Sequence, residues 1–123
     1  MADMTEASAM TASPMPASVK IGHLKYKIVE WAPRESVSAD RYGECSHAEQ
    51  VIRVTRMFGR PKQASTLLHE IIHAIWAMWS IHDGDNEERT VGMLEKGLAA
   101  VWVDNPDVFA WIGAGLTAPD LDG

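Results

Sequence analysis

Two histidines and a glutamate carry the chemistry of this chain. They stand as His69-Glu70-Ile71-Ile72-His73, an H-E-x-x-H, inside the apolar stretch Leu67–Trp79. On a helix, residues four apart share a face about one turn along. His69 and His73 therefore offer two imidazoles to one cation. Glu70, offset towards the same side, is placed to take a proton from water activated there, which is the pattern of a zinc hydrolase. Imidazole and carboxylate in so apolar a segment are costly to bury without a partner, and Zn²⁺ would supply one. Leu68, Ile71, Ile72, Ile75 and Trp79 are expected to form the apolar face of this helix.

A catalytic zinc usually takes three protein ligands and keeps one position open. The segment after the motif offers His82, Asp83, Asp85, Glu87 and Glu88. Helical phase ranks them. Glu87 lies four before Val91 and seven before Leu94, on the stripe that should pack against the motif helix. Glu88 lies seven before Glu95 and can instead close a capping box with Asp85. The expected metal ligands are His69, His73 and Glu87, with Glu88 the alternative and His82 third.

The elements that must position these groups follow from the pattern. Residues 1–18 are rich in Ala, Ser, Thr, Met and Pro without periodicity, and are expected to be a disordered tail. Val19–Trp31 contains the strict alternation Leu24-Lys25-Tyr26-Lys27-Ile28, a half-buried strand. Ala32–Arg41 reads as a connection broken at Pro33. Tyr42–Ser46 and Gln50–Thr55 read as two short strands about a turn, with His47 solvated at its tip. The motif helix should run from about Pro61 to Ile81, since proline suits a first turn. A second helix spans Glu87 to about Asp104 and is stopped by Asn105-Pro106. Asp107–Gly113 is a short third helix, and 114–123 a flexible tail. The single domain then covers 19–113. Its expected fold is α+β: a small antiparallel sheet of about three strands packed on the H-E-x-x-H helix and a second, ligand-bearing helix.

The chain of 123 residues is 46% hydrophobic, enough for one domain with a core. Its formal net charge of -6, without a Lys/Arg cluster, argues against a nucleic-acid surface. The lone cysteine, Cys45, forms no internal disulfide and fits a reducing compartment. No stretch approaches the roughly 20 apolar residues of a membrane span, and the N-terminus lacks a secretory pattern. The expected location is the host-cell cytoplasm.

H-E-x-x-H followed by a glutamate on the next helix resembles the gluzincin class of zinc metallopeptidases. More closely, the chain resembles small phage- and prophage-encoded H-E-x-x-H proteins. The resemblance is carried by Tyr42-Gly43-Glu44, the Gln50–Val54 strand, LLHEIIHAIW, EERTVGMLEKGL and VDNP. It implies a minimal zincin, a zinc-dependent peptidase with Glu70 as general base and a peptide or protein as substrate. It also implies an edge strand that holds substrate in extended form, here Gln50, Val51, Ile52, Arg53 and Val54. The chain departs from thermolysin-type enzymes in having no obvious downstream histidine or tyrosine to stabilise an oxyanion. The alternative function is a zinc-stabilised, non-catalytic module that binds a host or phage protein. Apolar Trp and Met side chains would allow a homodimer.

Overall fold

A computed structural model describes residues 14–32, 34, 42–80 and 87–119. Its elements are β1 (Ser18–Ile21), β2 (Leu24–Trp31), β3 (Gly43–Ser46), β4 (Val51–Thr55), α1 (Arg60–Met78), α2 (Glu87–Asp104) and α3 (Pro106–Thr117). The fold is α+β, as expected, but the sheet is larger and mixed. Its strand order is β1-β2-β4-β3. β1 pairs antiparallel with β2, and β3 antiparallel with β4, while β2 and β4 run parallel.

The added strand arises where one continuous strand was expected. Gly22 has φ +62, a conformation that glycine adopts without strain. The chain therefore turns at Gly22-His23, and Val19–Trp31 becomes a hairpin. The parallel pair needs a crossover, which the chain between Trp31 and Val51 provides, β3 included. Residues 14–18, read from the sequence as part of the tail, lie against the sheet. Met15 packs against the core, and Ile28 N–H donates to Ala17 C=O at 2.8 Å.

One sheet face is apolar and carries Val19, Ile21, Tyr26, Ile28, Ile52 and Val54, all buried. α1 lies on that face. Gly59 precedes it and Pro61 occupies its first turn, where a missing N–H costs nothing. Ala64, Leu67, Ile71, Ala74 and Ile75 are fully buried, and their three- and four-residue spacing is one helical stripe. Ile72 is not part of it. It is 38% exposed, because Glu70 and Ile71 take the sheetward positions of that turn.

The other two helices brace α1. Gly97 of α2 abuts Ile75 and Trp79, and an added Cβ would lie 2.6 Å from Ile75 Cγ2. Val101 is the buried anchor of α2, with Leu94 and Leu98 partly buried beside it. Val91 and Trp102, also expected to pack, are 54% exposed. α3 runs on to Thr117 rather than ending at Gly113. Gly115 sits against Ala64, and the Arg60 guanidinium lies 3.8 Å from the centroid of the Trp111 ring. The expected capping residue Asp85, and most of the 32–41 connection, fall outside the described residues. No helix among the described residues is long and apolar enough to cross a membrane.

Asn105 ties the second helix to the sheet. It is buried between α2 and α3. Its Oδ1 accepts from Lys20 N–H at 2.8 Å, and its Nδ2 donates to the carbonyls of Lys20 (2.7 Å) and Val101 (2.8 Å). The side-chain amide thus completes the β1 edge as a further strand would. Asn105→Ala should cost about 2–4 kcal/mol, since it leaves buried backbone groups unpaired. Urea unfolding of the two proteins checks this, and a difference within 0.5 kcal/mol, about the scatter of surface substitutions, would contradict it.

Candidate metal centre

The motif residues separate by depth. Glu70 is buried at 6% exposure and faces the sheet, whereas His69 and His73 are exposed on the flank of α1. The two histidine Nε2 atoms lie 3.2 Å apart, with ring centroids 4.8 Å apart. Two nitrogens bound to one tetrahedral zinc at about 2.0–2.1 Å would stand roughly 3.3 Å from each other. The pair therefore fits two neighbouring positions of one cation. Without a cation, the same separation lets one ring donate to the other.

Glu70 reaches its place because the facing strand is glycine there. Gly43 pairs with Val54 and Cys45 with Ile52. Partners across an antiparallel pair share a face, so Gly43 and Cys45 look towards α1. A Cβ on Gly43 would lie 2.6 Å from Thr66 Cγ2 and 3.0 Å from Glu70 Oε2. The strand approaches the helix this closely only without a side chain.

Three hollows surround the motif. One of about 320 Å³ takes Gly43, Glu44, Cys45 and His47 from β3 and its turn, and His69, Glu70 and His73 from α1. A second, of about 490 Å³, extends along the helix towards Tyr42, Lys62 and Ser65. A third, of about 420 Å³, has Ile72 and Trp76 as its apolar wall beside both histidines. The motif therefore opens on a groove with β3 along one side.

That groove corrects the expected substrate strand. Val51–Thr55 is interior, hydrogen-bonded to β2 on one side and β3 on the other. Ile52 and Val54 are fully buried, and Gln50 stands in the preceding turn with φ +55. The edge beside the motif helix is Gly43–Ser46. The resemblance to zincins placed that edge at Gln50–Val54, but the β-branched content of this strand suits the buried centre of the sheet it occupies. Arg53 points to the other face and is held by Glu44 at 2.6 Å and Glu49 at 3.5 Å.

Cys45 and His47 are the residues that sequence reasoning set aside. Burial, then the carboxylates of Glu70 and Glu44, push the Cys45 thiol up to about 12, so it stays protonated at neutral pH. His47 Nδ1 lies 3.1 Å from Tyr26 Oη and 3.7 Å from Cys45 Sγ. Strand pairing across the hairpin brings both to the motif, which no spacing in the sequence discloses.

Among the described residues, no three His, Cys, Asp or Glu side chains are grouped to hold one ion. The Glu87 side chain, His82, Asp83 and Asp85 lie outside the described residues, and Glu88 is exposed in the first turn of α2. No known protein family, curated protein or solved structure matches this chain.

Proposed function

We propose that this protein is a minimal zinc-dependent metallopeptidase. The observation that carries this reading is the convergence of His69 and His73 Nε2 at 3.2 Å beside the buried Glu70, in a groove flanked by an edge strand. His69 and His73 would hold the ion, with Glu87, or in its place Glu88, as third ligand. When bound, zinc supplies Lewis acidity that polarises a carbonyl and acidifies water. The remaining steps belong to the chain. Its β3 strand, Gly43–Ser46, stands at the end of the described sheet beside the motif, where it would receive an extended peptide. Glu70 then accepts a proton from the attacking water on a carboxylate oxygen and delivers it to the leaving amine.

The test is metal content of untagged protein. About one zinc per chain is expected for the wild type, following the usual single catalytic site. It should fall to background in His69→Ala and His73→Ala and in one of Glu87→Ala and Glu88→Ala. A folded wild type that takes up no metal would refute the proposal. The histidine pair would then be a hydrogen-bonded surface feature.

A further inference from the structure

On the metallopeptidase reading, one part is missing from the sequence: a donor for the negative charge that develops on the scissile carbonyl oxygen. We propose that His47 is that donor, with Tyr26 as the residue that positions it. His47 sits in the turn after β3 and lines the same hollow as His69, Glu70 and His73. It is reached from across the groove, opposite the helix that bears the motif.

The polar neighbours of the His47 ring converge on one of its nitrogens, Nδ1. Tyr26 is 2% exposed, and its ring meets that of His47 edge-on, with centroids 6.2 Å apart. Its hydroxyl lies 3.1 Å from Nδ1, and the Cys45 thiol lies 3.7 Å from the same atom. A phenol hydroxyl and a thiol can each donate or accept. On this proposal the Tyr26 hydroxyl donates to Nδ1, which makes Nδ1 the acceptor and places the proton of the neutral ring on Nε2. Nε2–H is then the donor left over, on a residue of the groove wall. Such a donor suits an oxyanion and does not suit a metal, which needs a bare nitrogen. The cations of β4 and its end are less suitable, because Arg53 is held by Glu44 and Glu49, and Arg56 by Glu30 at 3.5 Å.

The experiment uses the full chain loaded with zinc, titrated calorimetrically with a dipeptide phosphonate, whose tetrahedral anion mimics the developing charge. Wild type, His47→Ala, His47→Gln and Tyr26→Phe are compared, with zinc content measured beside each. Zinc content should be the same in all four. Phosphonate affinity should fall about tenfold to a hundredfold in His47→Ala, below the ~10²–10³ in rate lost with one oxyanion donor. His47→Gln, whose amide can still donate, should recover most of it, and Tyr26→Phe should lose part. Nitrogen-15 shifts of the His47 ring give a readout independent of metal, and should show the proton on Nε2 in the wild type. Equal affinity in wild type and His47→Ala, or a wild-type proton on Nδ1, would overturn the proposal. Loss of zinc in His47→Ala would overturn it too, making the ring a ligand. In each of these cases the metallopeptidase reading stands. A wild type that takes no zinc overturns that reading, and this proposal with it.

Discussion

Glu70→Gln should keep its metal and lose its hydrolysis. Glutamine has the shape of glutamate, so the packing of residue 70 against Gly43 and Thr66 is retained. His69 and His73 are untouched, and zinc content should equal that of the wild type. The amide cannot accept the proton of the attacking water, and removing a general base typically costs 10²–10⁴-fold in rate. The measurement is cleavage of a mixed fluorogenic peptide library by zinc-loaded protein. Full activity in Glu70→Gln would show that Glu70 is not the base.

The same variant has a readout that needs no substrate. Cys45 is held near 12 first by burial, and next by the charge of Glu70. Removing that charge lowers the thiol's pKa but leaves the burial. Thiolate then forms at lower pH, and thiolate is the reactive species. At pH 9, Cys45 in Glu70→Gln should be alkylated faster than in the wild type, and both should remain slower than a free thiol. An unchanged rate would place the Glu70 carboxylate further from Cys45 than its position in the groove implies.

How much of this was legible beforehand depends on the range of the signal. The H-E-x-x-H, the motif helix and the start and end of α2 are local patterns, and they stand where spacing puts them. Proline at the first turn of α1 and Asn105-Pro106 at the end of α2 are punctuation that any context respects. Sheet order is different, because it records which strands meet after the chain folds back. Val51–Thr55 is rich in β-branched residues both as a candidate edge and as the interior strand it is. Only its pairing with β2 and β3 decides. A glycine such as Gly22 permits a bend in any strand, but its becoming the turn of a hairpin depends on β1 finding β2. His47 was readable as a turn residue. Its place in the groove depends on Tyr26, twenty-one residues earlier, arriving from a neighbouring strand. Ile72 shows the limit of hydrophobicity within one helix. Its apolar character predicts burial, yet the buried glutamate beside it turns it outward.

Gly43→Ala should destabilise the protein where Gly113→Ala should stabilise it. An alanine in place of glycine ordinarily gains about 0.4–1 kcal/mol by narrowing the unfolded ensemble. Gly113 lies in α3 with nothing within 4 Å of an added Cβ, so the gain should appear there in full, with helix propensity adding to it. At Gly43 the added carbon would meet Thr66 Cγ2 at 2.6 Å, Glu70 Oε2 at 3.0 Å and the Arg53 carbonyl at 3.1 Å. A backbone carbonyl and two buried side chains cannot all give way. Overpacking of this kind typically costs 1–3 kcal/mol, which exceeds the entropic gain and sets the sign. The strand must retreat from α1, and Glu70 loses the wall that orients it. Peptide hydrolysis should therefore fall along with stability, while zinc content holds. Thr66→Ser removes the nearest clashing atom, so Gly43→Ala with Thr66→Ser should recover part of the loss. In a double-mutant cycle the two sites should couple by at least 0.5 kcal/mol, as contacting residues do. Additive effects at 43 and 66 would mean that β3 does not press on α1 as described. The groove would then be wider at Glu70, and the case for an oriented base would weaken with it.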